Sequence, residues 1–362
     1  MNKHVYFLLF IMAIIFLGCH SRVEKIVKQY NSFPVVKSLH SSKISGIRND
    51  FYTHMMGIKD SILVFCINEN SPHFQIYKLP EFKFIGSFGI EGYGPTDIST
   101  PVFWGQFSSD KESCKMWFFQ LELMRLTQID LFDYLEDDES IPVKEIELPP
   151  EIDMSVNVIS VNDSILVGTG YQAKGAFFIY NTSEESLRWK QFPLRYDEDI
   201  INDLFSETNL IDDYNLGIIK IKPDGTRFVK ANIYRPTIDV YNAELEMVLT
   251  IENKAFEYPV LDKKRLSFVP ETNIYYSNIF LSDTYIYALY YNCTQQAMNT
   301  NTCNSVEVHV FNWEGNPICN YLLNEGIHPS GSFVVDEMNN KIYTIFPKNS
   351  EHYYSQFDLN EN

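Results

Sequence analysis

The chain reads as short apolar runs broken by polar turns, and the clearest unit lies near its end. Phe333–Val335 is apolar, Asp336–Lys341 is polar, and Ile342–Phe346 is apolar again. Runs this short, rich in β-branched and aromatic residues, predict strands, and the polar stretch between them predicts a hairpin turn. The unit recurs five times upstream, with Asp60, Asp110, Asp163, Asp224, Asp283 and Asp336 in or beside the turns, at intervals of 50 to 61 residues. Asp suits tight turns because its carboxylate accepts hydrogen bonds from the backbone just ahead of it. A period of about 50 residues with four strands per copy predicts the blades of a β-propeller.

Six copies give an all-β, six-bladed β-propeller. The predicted first strands are Met55–Ile58, Phe103–Phe107, Val156–Val161, Gly217–Ile221, Asn278–Leu281 and Phe333–Val335. Fourth strands follow in five copies, at Phe82–Phe88, Val143–Leu148, Trp189–Leu194, Met247–Ile251 and Ile318–Leu323, and the sixth copy ends without one. One strand is left over at the other end, Phe33–Leu39. The economical arrangement is an N-terminal strand completing the last blade, which closes the ring and removes an open sheet edge. Two insertions interrupt the pattern: acidic Tyr196–Tyr214, and the loop between Cys293 and Cys303.

The first residues change the picture from a fold to a location. Lys3 precedes an apolar run from Val5 to Leu17, which is too short for a stable membrane span and reads as a signal peptide over residues 1–18. Phe16-Leu17-Gly18-Cys19 resembles the lipobox of bacterial lipoproteins, with Phe16 where Leu, Val or Ile is usual. That resemblance implies acylation of Cys19, a lipid-anchored tether over residues 19–32, and a propeller over 33–362. The implied location is the cell envelope, held to a membrane through the N-terminal lipid, with the outer membrane favoured and its face undetermined.

Composition agrees with exported β-structure. Aromatic residues make up 15% of the 362, including 27 Phe and 23 Tyr, which favours strands. The formal charge of −18 excludes nucleic acid as a partner, since neutralising phosphates needs clustered Lys and Arg. Cys66 and Cys114 sit in apolar runs and read as small core residues. Cys293 and Cys303 flank a polar loop, and the ends of a hairpin could bring them within bonding reach in an oxidising compartment; they are the candidate disulfide.

Candidate chemistry is sparse. Gly89-Ile90-Glu91-Gly92-Tyr93-Gly94-Pro95 lacks dinucleotide-loop spacing and reads as an inter-blade turn. No HExxH, GxSxG or P-loop pattern occurs, so no catalytic or metal-ligating residue is assigned and no cofactor is expected. Asp60-Ser61-Ile62 and Asp163-Ser164-Ile165 resemble O-glycosylation acceptors of some bacteria, although turn chemistry accounts for both.

Phe88-Gly89, Gly92, Gly94-Pro95 and Asp97, together with the segment Lys222-Pro223-Asp224-Gly225-Thr226-Arg227-Phe228, resemble signatures of the TolB-like six-bladed propeller lipoproteins of Bacteroidetes-type bacteria. The resemblance implies the fold and a lipoprotein, and it supplies no activity. The expected function is a binding or scaffold module that presents loops to an envelope protein, peptide or glycan. The alternative is a propeller hydrolase or lyase, lactonase-like, acting in the central channel.

Overall fold

The computed structural model describes residues 26–47, 53–67, 72–92, 94, 97–108, 113–136, 142–152, 155–170, 174–190, 216–254, 261–262, 267–300, 302–303, 306–324, 331–348 and 351–361. Cys19, Asp110 and the 196–214 insertion lie outside these residues.

Six sheets form the six blades. Blade one comprises Thr53–Lys59, Ile62–Ile67, Phe74–Lys78 and Lys83–Phe88, paired in sequence order. Blade two comprises Pro101–Phe107, Lys115–Gln120, Arg125–Asp130 and Lys144–Glu147. Blade three runs Ser155–Ser160, Ile165–Gly170, Phe177–Asn181 and Ser186–Lys190, and blade four Gly217–Ile221, Arg227–Asn232, Thr237–Asn242 and Met247–Asn253. Blade five runs Asn273–Leu281, Tyr285–Thr294, Val306–Asn312 and Pro317–Asn324. Blade six has Ser332–Asp336, Lys341–Lys348 and Glu351–Asp358, and takes its fourth strand from Ser42–Lys43. The first strands of successive blades are neighbours around the ring and wall its centre.

The short apolar runs follow from this stacking. A blade is covered on both faces, so successive side chains of one strand enter different cores. In Ile62–Ile67, Leu63 and Phe65 pack against blade six, whereas Val64 and Cys66 pack against blade two. Each of the six apolar clusters joins one pair of adjacent blades. Cys66 and Cys114 are buried in the cluster between blades one and two.

The N-terminal segment completes the last blade, but not through the residues expected to do so. Val36–His40 instead pairs in parallel with the fourth strand of blade five, from Val36 opposite Asn320 to His40 opposite Asn324. The closing strand is Ser42–Lys43, extended by a hydrogen bond from Ile44 N to the Tyr354 carbonyl (2.9 Å). Val35 and Val36, which make this stretch look like a core strand, are 44% and 57% exposed, and Leu39 alone is fully enclosed. The assigned tether is also too long. Ile26–Tyr30 is a parallel fifth strand on the outer edge of blade four, so the propeller begins before Phe33. An outer edge offers a row of unpaired backbone groups, and a polar segment can occupy it with little apolar signal. Only Tyr30 of that strand is buried.

Tyr30 anchors the arm by side-chain chemistry. Its hydroxyl lies 3.1 Å from the Tyr276 hydroxyl and 3.3 Å from His309 Nδ1. His309 Nε2 lies 3.0 Å from a Glu307 oxygen that also accepts from Asn320 Nδ2. The pattern closes if neutral His309 donates from Nε2 and accepts from Tyr30, and burial, which holds the imidazole below its ordinary pKa, favours that neutral form.

Among the described residues, two short helices interrupt the strands. Leu131–Glu136, absent from the sequence-based expectation, follows the third strand of blade two; Leu135 packs where a Cβ on Gly86 of blade one would sit. Gln295–Asn299 lies in the loop that Cys293 and Cys303 close as a disulfide, with Cα atoms 5.9 Å apart. Thr294 Oγ1 caps this helix by accepting from Ala297 N at 3.1 Å. For a loop of this length the Cys303→Ser variant is expected to lose about 2–3 kcal/mol. Mass spectrometry of an unreduced digest checks the bond, and free thiols at both positions would refute it.

Candidate functional site

The first strands enclose a funnel of about 990 Å³ at the centre of the ring. It opens on the face that carries the first-hairpin turns, because Asp60, Asp224, Asp283 and Asp336–Met338 all line it. The apolar walls include Ile58, Phe107, Ile159, Phe280 and Val334. Trp104 lines the cavity and also packs on the cluster between blades four and five, so a blade-two side chain reaches towards the far wall. Gly57 and Gly105 let blades one and two meet closely, since a Cβ on Gly57 would sit 2.8 Å from Gly105 Cα.

The repeat Asp residues divide. Asp60, Asp224, Asp283 and Asp336 line the funnel, and Asp163 does not. Asp60 occupies its turn at φ 53°, a conformation Asp tolerates better than most residues. Asp224 accepts from Thr226 N (2.9 Å), Thr226 Oγ1 (2.6 Å) and Lys222 Nζ, and these bonds hold its carboxyl below the usual range against the opposing effect of partial burial. Asp336 accepts from Asn339 N (3.0 Å), Asn339 Nδ2 (2.7 Å) and the Tyr343 hydroxyl (3.3 Å). Glu337 beside it accepts from the Tyr287 hydroxyl (2.8 Å). Turn formation therefore explains two of the four funnel aspartates outright. Among the described residues, no three His, Cys, Asp or Glu side chains are grouped as a metal ion would need.

Two lysines line the same space. Lys59 Nζ donates to the carbonyls of Ser108 (3.2 Å) and Ser113 (2.8 Å), tying blade one to blade two. Lys220 is 8% exposed and has no hydrogen-bonding or ionic partner among the described residues. Burial alone pulls its amine down to a pKa of about 7. It shares a strand face with Ile218, which packs towards blade five, while Ile219 and Ile221 turn towards blade three. Sequence reading passed over Lys220, although one charge inside the apolar strand Gly217–Ile221 was the available signal.

The two family-like motifs prove structural. Asp97 Oδ2 accepts from Gly94 N at 2.8 Å, and a Cβ on Gly92 would sit 2.1 Å from that same carboxylate oxygen. The glycines thus let the loop fold onto its own acid. In the blade-four motif, Gly225 turns at φ 72°, and Arg227 donates to the Trp313 carbonyl at 2.9 Å, linking blades four and five. Ser61 and Ser164 both sit in first-hairpin turns, where the Ser61 carbonyl accepts from Leu79 N and the Ser164 carbonyl from Thr182 N.

Comparisons with known proteins agree with this architecture. A protein of Bacteroides fragilis NCTC 9343 whose name marks it as exported superposes with a TM-score of 0.53 at 10% identity, covering 92% of this chain and 99% of that one. A member of the DUF4221 family from Bacteroides vulgatus ATCC 8482 superposes with a TM-score of 0.53 at 11% identity, covering 90% and 97%. At such identities the likeness is one of fold. No curated relative matches the sequence. The family model described as TolB-like 6-blade propeller-like matches residues 29–338, and the chain belongs to that family.

Proposed function

We propose that this chain is an envelope lipoprotein, anchored through Cys19, that works as a binding module with the central funnel as its ligand site. The observation that carries the reading is the funnel: a cavity of about 990 Å³, open on one face, with aromatic and aliphatic walls below a rim of carboxylates. Pockets of that size and lining suit a small ligand that is oriented by a handful of polar contacts. Trp104, Phe107 and Phe280 offer faces for the apolar side of a sugar ring or a peptide side chain. A neutral glycan or short peptide of the envelope is the class that fits. Anchoring is supported by the signal-like residues 1–18 and by Cys19. Among the described residues no helix is long and apolar enough to cross a membrane.

Two measurements test these statements separately. Cys19→Ala is expected to move the protein from the membrane fraction to the soluble envelope fraction; an unchanged distribution would end the anchoring claim. A thermal-shift screen with neutral oligosaccharides and short peptides is expected to find a ligand worth about 2.7 kcal/mol at a hundredfold excess over its Kd. That gain should fall sharply in Trp104→Ala, which removes the largest aromatic face offered to the ligand. No stabilising compound across the panel would overturn the funnel as the site for this class.

A further inference from the structure

Among the described residues, Lys220 is the one charged group lining the funnel that the fold does not account for. A buried ammonium is costly unless a carboxylate or several acceptors compensate it. The other charged groups around the funnel are engaged or stand at the rim. Lys59 is held by two carbonyls, and Lys222 pairs with Asp224 and lies over the Trp313 ring. Asp336 and Glu337 accept from tyrosines, and Asp60 and Asp283 occupy turns at the opening. None of them is paired with Lys220. Lys230, the other buried lysine of this blade, lies on the adjoining strand, opposite Ile219.

The rim also selects against one class of ligand. Asp60, Asp224, Asp283, Asp336 and Glu337 face the opening on a chain of net charge −18. Such a field repels anions, so a carboxylate or phosphate is a poor candidate to neutralise Lys220. A neutral ligand meets no such barrier.

We propose that the funnel captures a neutral aldehyde or ketone as an imine on Lys220 Nζ. The amine lone pair adds to the carbonyl carbon and forms the C–N bond. The carbonyl oxygen takes up both amine hydrogens and leaves as water while the C=N bond forms. The exchange is amine plus carbonyl for imine plus water, with no oxidant or reductant. Desolvation in an apolar pocket is a recognised way to make a lysine nucleophilic near neutrality, and it is the cause of the lowered pKa of this one. The inference rests on the funnel being the ligand site and names the chemistry within it.

The test uses the native protein with propionaldehyde and cyanoborohydride, followed by peptide mapping. Propionaldehyde is small against a cavity of about 990 Å³, so size cannot exclude it. At pH 7 an amine with a pKa near 7 is about half neutral, whereas an ordinary lysine is neutral to roughly one part in a few thousand. Lys220 is therefore expected to be alkylated at least about tenfold faster than surface lysines, even with access reduced. Its rate should level off above pH 8, while theirs keeps rising. Labelling of Lys220 no faster than at surface lysines, or with their pH profile, would overturn the proposal. If Lys220 stays unlabelled while a compound of the thermal-shift panel still stabilises the protein, the imine fails and the binding reading survives. If Lys220 labels selectively and no panel compound binds, capture stands and the glycan or peptide class falls.

Discussion

Deleting residues 20–40 is expected to cost on the order of 5 kcal/mol or more, comparable with the whole stability of many domains. The deletion removes no four-stranded blade, and by count alone it should be mild. It strips the parallel fifth strands from the outer edges of blades four and five, reopening both edges. It also removes Leu39, fully buried between blades five and six, and Tyr30, 5% exposed between blades four and five. Burying a side chain of Leu size is worth about 2–5 kcal/mol by truncation. Loss of Tyr30 leaves His309 Nδ1 without the hydroxyl beside it, at a further cost of about 1–3 kcal/mol. The two-residue closing strand Ser42–Lys43 then lacks the support of Lys37, which donates to the Leu359 carbonyl at 3.1 Å, and of His40, whose N–H donates to Glu361 at 3.0 Å. Thermal melts of the parent, a 20–32 deletion and a 20–40 deletion should fall in that order. A 20–40 deletion melting within about 2 °C of the parent would refute the arm as a structural element.

The same arm shows where sequence reading works and where it stops. Blade number and strand positions were legible because each inner strand is buried on both faces, as in Ile62–Ile67, and so stands out as an apolar run. The turn Asp residues were legible because turns need that chemistry wherever they occur. Ile26–Tyr30 was illegible: an outermost strand needs one inward residue, and a segment with Tyr30 as its only buried side chain looks like a polar tether. Phe33–Leu39 misled for the opposite reason, since its valines face solvent. At the site, the sequence supplied the Asp positions of the rim without their convergence, which only ring closure creates. Lys220 was visible as a charge in an apolar strand, but its meaning depends on what lies opposite. A carboxylate within bonding reach would have made it an ion pair, and among the described residues none of the funnel carboxylates is paired with it.

Lys220→Met is expected to raise stability by about 2–4 kcal/mol at pH 7, with a pH signature that identifies the cause. The native pKa, about 7, lies below the unfolded value of 10.5. Between those two values the unfolded chain binds a proton that the native chain does not, so the stability of the parent rises with pH. Below pH 7 both forms are protonated and the full penalty persists; above 10.5 neither is, and it disappears. Each pH unit in the window is worth about 1.4 kcal/mol, so the parent should gain about 3 kcal/mol on Lys220→Met between pH 7 and 9.5. Lys230, whose amine burial also lowers, adds its slope to both proteins and cancels in the difference. Measurement should stop near pH 9.5, because burial raises the hydroxyls of Tyr276 and Tyr291, and ionisation of the same tyrosines in the unfolded chain then lowers the stability of both proteins. Denaturant midpoints across that range provide the readout. Parallel pH curves for parent and variant would mean that the amine is compensated in the native state. Diverging curves would mean that the propeller holds an unpaired amine at its centre at a cost that a methionine would remove, as expected of a side chain kept for binding rather than for folding.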